Sequence, residues 1–124
     1  MTDSRYGYCS AYVKASDAKM VTEILATALG AEIEDDNIRL RGVIMDARTN
    51  PDVEDGSAPG DDFVRWPVLI EIDADDPDDG ATMVAVVSRI LSTLWDAGYP
   101  TVAACDFEDE LPWGGGLRRL AETS

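Results

Sequence analysis

Residues 61–98 constrain the fold more than any other stretch: DDFVRWPVLIEIDADDPDDGATMVAVVSRILSTLWDAG. Val64, Trp66, Val68, Ile70 and Ile72 alternate with Arg65, Leu69, Glu71 and Asp73. That is the period of a strand with one buried face, and it predicts a strand over 63–73. Pro67 lies inside this run and brings no N–H, so one ladder bond is expected to be missing there, or the side to be an edge. The acidic loop 75–80 follows, and Asp78 or Asp79 is the expected N-cap of a helix. Met83, Val84, Val87, Ile90, Leu91, Leu94 and Trp95 then recur at helical spacing, and Gly98 with Pro100 ends the run. A one-sided strand feeding an amphipathic helix is half of an α+β layer pair.

The first half has the same grammar. Tyr6, Tyr8 and Tyr12 share one parity of a β-rich run over 6–14; Gly7, Cys9, Ala11 and Val13 share the other. The small apolar set is expected to face the core and the tyrosines the opposite side. Ser16 is the expected cap of a helix carrying Met20, Val21, Ile24, Leu25, Ala28 and Leu29, with Asp17 in its first turn and Gly30 as its stop. Residues 31–48 read as mostly extended. Asp35-Asp36-Asn37 is a turn that splits off a short piece at Ile33, and the change of apolar parity at Gly42 suggests a bulge. Arg39, Arg41 and Arg48 are expected in solvent. Residues 49–62 (TNPDVEDGSAPGDD) form a loop without periodicity, either mobile or part of a binding surface. Residues 101–107 (TVAACDF) are the last strand.

The order read this way is β-α-β-β-α-β in 124 residues, one domain. The simplest architecture is a ferredoxin-like split βαβ sandwich, an antiparallel sheet with two helices on one face. A meander with a small extra hairpin around Ile33 competes with it. In the sandwich the first and last strands are neighbours, which brings Cys9 and Cys105 close on the helix-covered face. The domain is expected over 1–112. Trp113-Gly114-Gly115-Gly116 then reads as a hinge, and 113–124 as a flexible C-terminal tail.

Charge narrows the function classes. Asp and Glu total 25 against 10 Lys and Arg, a formal net charge of -15. Such a surface repels nucleic acid and anionic membranes and favours a basic protein partner. There is no His, which removes Ser/His, Cys/His and His-ligated metal chemistry. Two cysteines are too few for a secreted disulfide scaffold and read as reduced thiols in a cytoplasm. The opening MTDSRYGYCS lacks the apolar run of a signal peptide, and no segment reaches membrane-spanning length.

The acidic loop, Asp73, Asp75, Asp76, Asp78 and Asp79, invites a calcium reading that fails on spacing. With Gly80 at loop position six, Pro77 falls on position three and Val86 on position twelve, where a bidentate Glu is needed. No metal or cofactor is expected. Asp106, Glu108, Asp109 and Glu110 form a charge run, which is ordinarily a solvated face. No catalytic residue is assigned. The tyrosine stripe resembles the base-stacking face of RNA-binding sheets, but the negative charge disfavours RNA, so Tyr6, Tyr8 and Tyr12 read as protein-interface aromatics or as residues packed under a loop. Trp113-Gly114-Gly115-Gly116 lacks the Lys-Ser/Thr of a phosphate loop; Trp113 reads as an anchor on an arm.

The segments Trp66-Pro67-Val68-Leu69-Ile70-Glu71 and Ala103-Ala104-Cys105-Asp106-Phe107-Glu108-Asp109-Glu110-Leu111-Pro112 resemble small acidic proteins of actinobacteria and their phages, some of which are similar to immunity proteins of polymorphic toxin systems. The resemblance covers mainly the second half. It implies a cytosolic inhibitor that masks a toxin or another enzyme, and it carries over no catalytic residue.

These readings converge on a non-enzymatic acidic protein that inhibits or masks a basic partner: a toxin, a nuclease or a DNA-binding protein. The expected partner-binding residues are Asp73, Asp75, Asp76, Asp78, Asp79, Glu108, Asp109 and Glu110, with Tyr6, Tyr8, Tyr12 and Trp113 as anchors. The alternative is a self-associating assembly module, possible for a phage protein, that dimerises through the tyrosine face.

Overall fold

A computed structural model describes residues 6–35, 37–50, 66–76, 79–116 and 118–119. The elements run β1 (Tyr8–Val13), α1 (Ala18–Leu29), β2 (Ile33–Glu34), β3 (Asn37–Leu40), β4 (Val43–Thr49), β5 (Val68–Ala74), α2 (Gly80–Asp96) and β6 (Thr101–Ala104). A 3-10 turn at Glu108–Glu110 and a tightly turned segment at Pro112–Gly116 close the described chain. The protein is α+β, with six strands in one sheet of order β2-β3-β4-β5-β1-β6 and every pairing antiparallel. The order is therefore β-α-β-β-β-β-α-β, two strands more than the sequence reading counted.

The extra strands come from two tight hairpins. Leu40 pairs with Val43, leaving Arg41 and Gly42 as a two-residue loop with φ of 53° and 79°. Two positive φ values are the signature of the turn whose twist matches paired strands. The parity change at Gly42 is thus a turn and not the expected bulge. The Asp35 turn does split off a short strand, since Glu34 pairs with Asn37.

The helices follow their apolar spacing. Asp17, not Ser16, caps α1: its carboxylate accepts from the Lys19 N–H at 3.0 Å. Gly30 ends that helix in the left-handed region, at φ 66°. Asp79 caps α2 by accepting from the Thr82 N–H at 3.2 Å; Asp78, the other candidate, lies outside the described residues. Both helices lie on one face of the sheet, where Val21, Leu25, Met83, Val87, Ile90 and Leu91 join a single core cluster with the strands. Cys9, Ala11 and Val13 are fully buried there, as their parity required. Rows run across the strands: Ile38, Met45, Ile72 and Cys9 are consecutive partners and all buried. Burying each large apolar side chain is worth roughly 1.5–3 kcal/mol.

β5 starts at Val68, so Pro67 precedes the ladder and breaks no bond within it; it is not in an edge strand, because β5 lies between β4 and β1. The Pro67 carbonyl accepts from the Asn50 N–H at 2.8 Å, and the Asn50 amide donates to the Trp66 carbonyl at 2.8 Å. Asn50 and Trp66 are both buried, so this clasp ties the end of β4 to the residues before β5. Residues 51–65 lie outside the described residues, and with them most of the expected loop and the start of the expected strand.

β6 stops at Ala104, three residues short of expectation. The Cys105 N–H is taken by the Glu108 carboxylate at 2.9 Å and leaves the ladder. The chain then folds back along β6. Gly115 and Gly116, in the stretch expected to be a flexible tail, are buried; a Cβ on Gly115 would lie 3.1 Å from the Ala103 carbonyl, and one on Gly116 would collide with the carbonyl of Thr101. With φ of 87° and 107°, both positions favour glycine twice over. Trp95 donates from Nε1 to the Thr101 carbonyl at 3.0 Å, and the Arg119 guanidinium sits 5.3 Å from its ring.

Candidate interaction surface

The topology gathers acidic residues from two distant stretches at one end of the sheet. β5 runs out at Ala74, whose N–H bonds the Gly7 carbonyl at the start of β1. Asp75 donates its N–H to the Gly42 carbonyl at the β3–β4 hairpin. β6 ends at this same edge, because β1 and β6 are antiparallel and Ser10 pairs with Ala104. The β5–α2 connection and the 106–110 segment are therefore neighbours. Tyr6 joins them. Its ring packs against Phe107 at a centroid distance of 5.4 Å and covers Gly80, where an added Cβ would lie 2.8 Å from it. Its hydroxyl donates to Glu110 Oε2 at 2.7 Å.

The expected anchors thus separate. Tyr6 is not in a stripe with Tyr8 and Tyr12. It precedes β1, so strand parity does not govern it, and its half-buried ring packs on the core. Tyr8 is 45% exposed and accepts from the Ser10 hydroxyl at 2.9 Å; Tyr12, four residues on, is half-buried. These two lie on the open face, away from the helices. Their strand partners there are Asp73 opposite Tyr8 and Leu69 opposite Tyr12. Trp113 is 41% exposed, with a left-handed backbone at φ 57°.

The acids separate as well. Asp73, Asp75, Asp76, Asp79 and, beyond Phe107, Asp109 and Glu110 are exposed. Glu108 is not a solvated member of its run, since it holds the Cys105 N–H. Asp79 is committed to the α2 cap. Asp75 pairs with Arg39 at 3.6 Å, both side chains more than half exposed. α2 begins at this acidic end, and the helix dipole favours negative charge at its N-terminus. Asp78 is outside the described residues. Among the described residues, no group of three or more His, Cys, Asp or Glu side chains is placed to hold a metal ion. No described helix is long and apolar enough to cross a membrane.

The open face also carries a charged cluster that the sequence reading did not assemble, having placed Arg48 simply in solvent. Arg48 on β4 bonds Glu71 on β5 and lies 3.9 Å from Asp46. Their spacing at alternate strand positions was visible, but their partnership needs the β4–β5 register. A groove of about 350 Å³ lies between α1 and β4, lined by Lys19, Thr22, Glu23, Ile33, Asp46 and Arg48. It has ligand-sized volume, but its charges balance and it holds no nucleophile beside a base.

The two thiols meet. Cys9 is buried and donates its thiol to the Ser10 carbonyl at 3.6 Å; Cys105 is half-buried, and each thiol shifts the titration of the other. Interaction with Cys105 and burial push the Cys9 thiol far above its ordinary range, so it keeps its proton, while interaction with Cys9 lowers Cys105.

The sequence matches no protein-family model, no curated protein and no solved structure.

Proposed function

We propose that this protein binds a basic protein partner through the acidic end of its sheet and masks that partner's charged surface. The observation that carries the reading is that Asp73, Asp75, Asp76 and Asp79 and the run 106–110 lie at one edge around Tyr6. A basic groove, such as that of a nuclease toxin or a DNA-binding protein, is the complementary surface. Charge speeds the encounter, and Tyr8, beside Asp73, supplies an aromatic contact that slows release. The action is non-covalent inhibition in the cytoplasm, in the manner of an immunity protein or a nucleic-acid mimic. The fold is read as a ferredoxin-like core of β4, β5, β1, β6 and the two helices, with β2 and β3 a hairpin added at its edge.

The second reading is self-association through the open face, favoured by the exposed Tyr8 with Tyr12, Ile44 and Leu69 on the same side. One experiment separates the two. A variant with Asp75→Asn, Asp76→Asn and Asp109→Asn, and a second with Tyr8→Glu, are compared in sedimentation and in capture of a basic partner. Masking by the acidic end requires a monomer whose capture is lost in the first variant. A dimer dissolved by Tyr8→Glu and indifferent to the first variant would replace it with self-association.

A further inference from the structure

We propose that Cys9 and Cys105 form a reversible oxidation site, closing to an intramolecular disulfide in response to a peroxide. The placement follows from the β1–β6 ladder. Its register pairs Ser10 with Ala104 and Ala11 with Ala103, and carried one residue past the last pair it sets Cys105 beside Cys9. The Lys14 N–H bonds the Pro100 carbonyl at 2.9 Å, which makes Lys14 and Pro100 a hydrogen-bonded pair. Hydrogen-bonded and non-bonded pairs alternate along an antiparallel ladder. Counting from Lys14, the Cys9–Cys105 pair is of the non-bonded kind. The Cys105 N–H agrees, since it bonds Glu108 rather than β1. Opposed residues in a non-bonded pair have Cα atoms about 4.5 Å apart, inside the range that disulfides span. The mutual shift of the two thiols agrees with this proximity.

Burial divides the labour. Cys105 is half-buried and reachable; Cys9 is fully buried. The Cys105 thiolate attacks the peroxide, forming an S–O bond as the O–O bond breaks, and hydroxide leaves to take up a proton as water. The sulfur is then a sulfenic acid. Cys9 sulfur attacks it, the S–S bond forms, the S–O bond breaks, and the departing oxygen leaves as water with the Cys9 proton. Two thiols and one hydrogen peroxide give one disulfide and two waters, a two-electron exchange. The link would tie β1 to β6 one residue beyond Ala104, beside Glu108. It does not depend on the identity of any binding partner.

The test uses the full chain and hydrogen peroxide in small molar excess, followed by alkylation in denaturant and intact-mass measurement. The expected product is a monomer about 2 Da lighter, with neither cysteine alkylated, and dithiothreitol restores both thiols. Cys9→Ala, a small change in a buried site, is expected to stop at a Cys105 sulfenic acid that a dimedone probe labels. Three outcomes overturn the proposal: Cys105 going on to sulfinic acid in the wild type, a covalent dimer in place of the monomer, or no oxidation of a chain whose folding circular dichroism confirms.

Discussion

The two ends of the sheet are built on opposite terms. At one end Asp75, Asp76, Asp109 and Glu110 stand in solvent around a single half-buried ring, Tyr6. At the other end Trp66 and Asn50 are buried, Trp95 is bonded to Thr101, and the glycine segment 115–116 is pressed onto β6. The acidic end gains little stability from its charges, because exposed pairs such as Arg39–Asp75 contribute only about 0–1 kcal/mol. The tryptophan end gains from packing and from the Asn50–Trp66 and Trp95–Thr101 hydrogen bonds. A surface kept for binding and an end kept for folding are therefore separable by mutation.

The widest gap between the ends is expected at Trp66. Trp66→Ala empties a site 1% exposed and should lower unfolding stability by about 3–5 kcal/mol in urea titration. A loss under 1 kcal/mol would erase the contrast. Asn50→Ala removes the donor to the Trp66 carbonyl and should cost about 1–3 kcal/mol. Asp79→Ala removes the α2 cap, the one acidic-end carboxylate in this comparison with a helix to hold, at about 0.5–2 kcal/mol. Asp75→Asn with Asp76→Asn should change stability by no more than about 0.5 kcal/mol.

The thiols, both at the acidic end, give a pH test of that end. Cys105, with its pKa lowered from 9.0, binds fewer protons folded than unfolded, so its contribution grows as pH rises towards 9.0. Cys9, raised, keeps its proton folded where the unfolded chain loses it, so its contribution is full below 9.0 and is lost as pH rises beyond. Urea midpoints from pH 7 to 10 should therefore pass through a shallow maximum, relative to Cys9→Ala, near the ordinary thiol pKa. A flat difference would mean the two thiols do not interact.

Both helices were legible because their apolar residues recur at helical spacing and a capping carboxylate and a glycine bracket each one; the error of one residue at Ser16 reflects two good caps in a row. The hairpins were not legible in full. Arg41-Gly42 gives the same parity change as a bulge, and only pairing distinguishes them. Tyr6 was misplaced because alternation was extended past the start of the strand. Glu108 was hidden in a charge run, since its bond to the Cys105 N–H depends on where β6 ends. The run at 114–116 suggested a hinge, yet glycine there serves close approach to a strand. The acidic end itself needs topology: residues 75 and 109 meet only when β1 lies between β5 and β6.

The central claim is that the acidic end drives association. The most direct measurement is the association rate with a captured basic partner across a salt series, for the wild type and for the variant with Asp75→Asn, Asp76→Asn and Asp109→Asn. The account predicts a rate that falls steeply with salt in the wild type, with a slower rate and a flatter slope in the variant. Equal rates and equal slopes in the two proteins would contradict it.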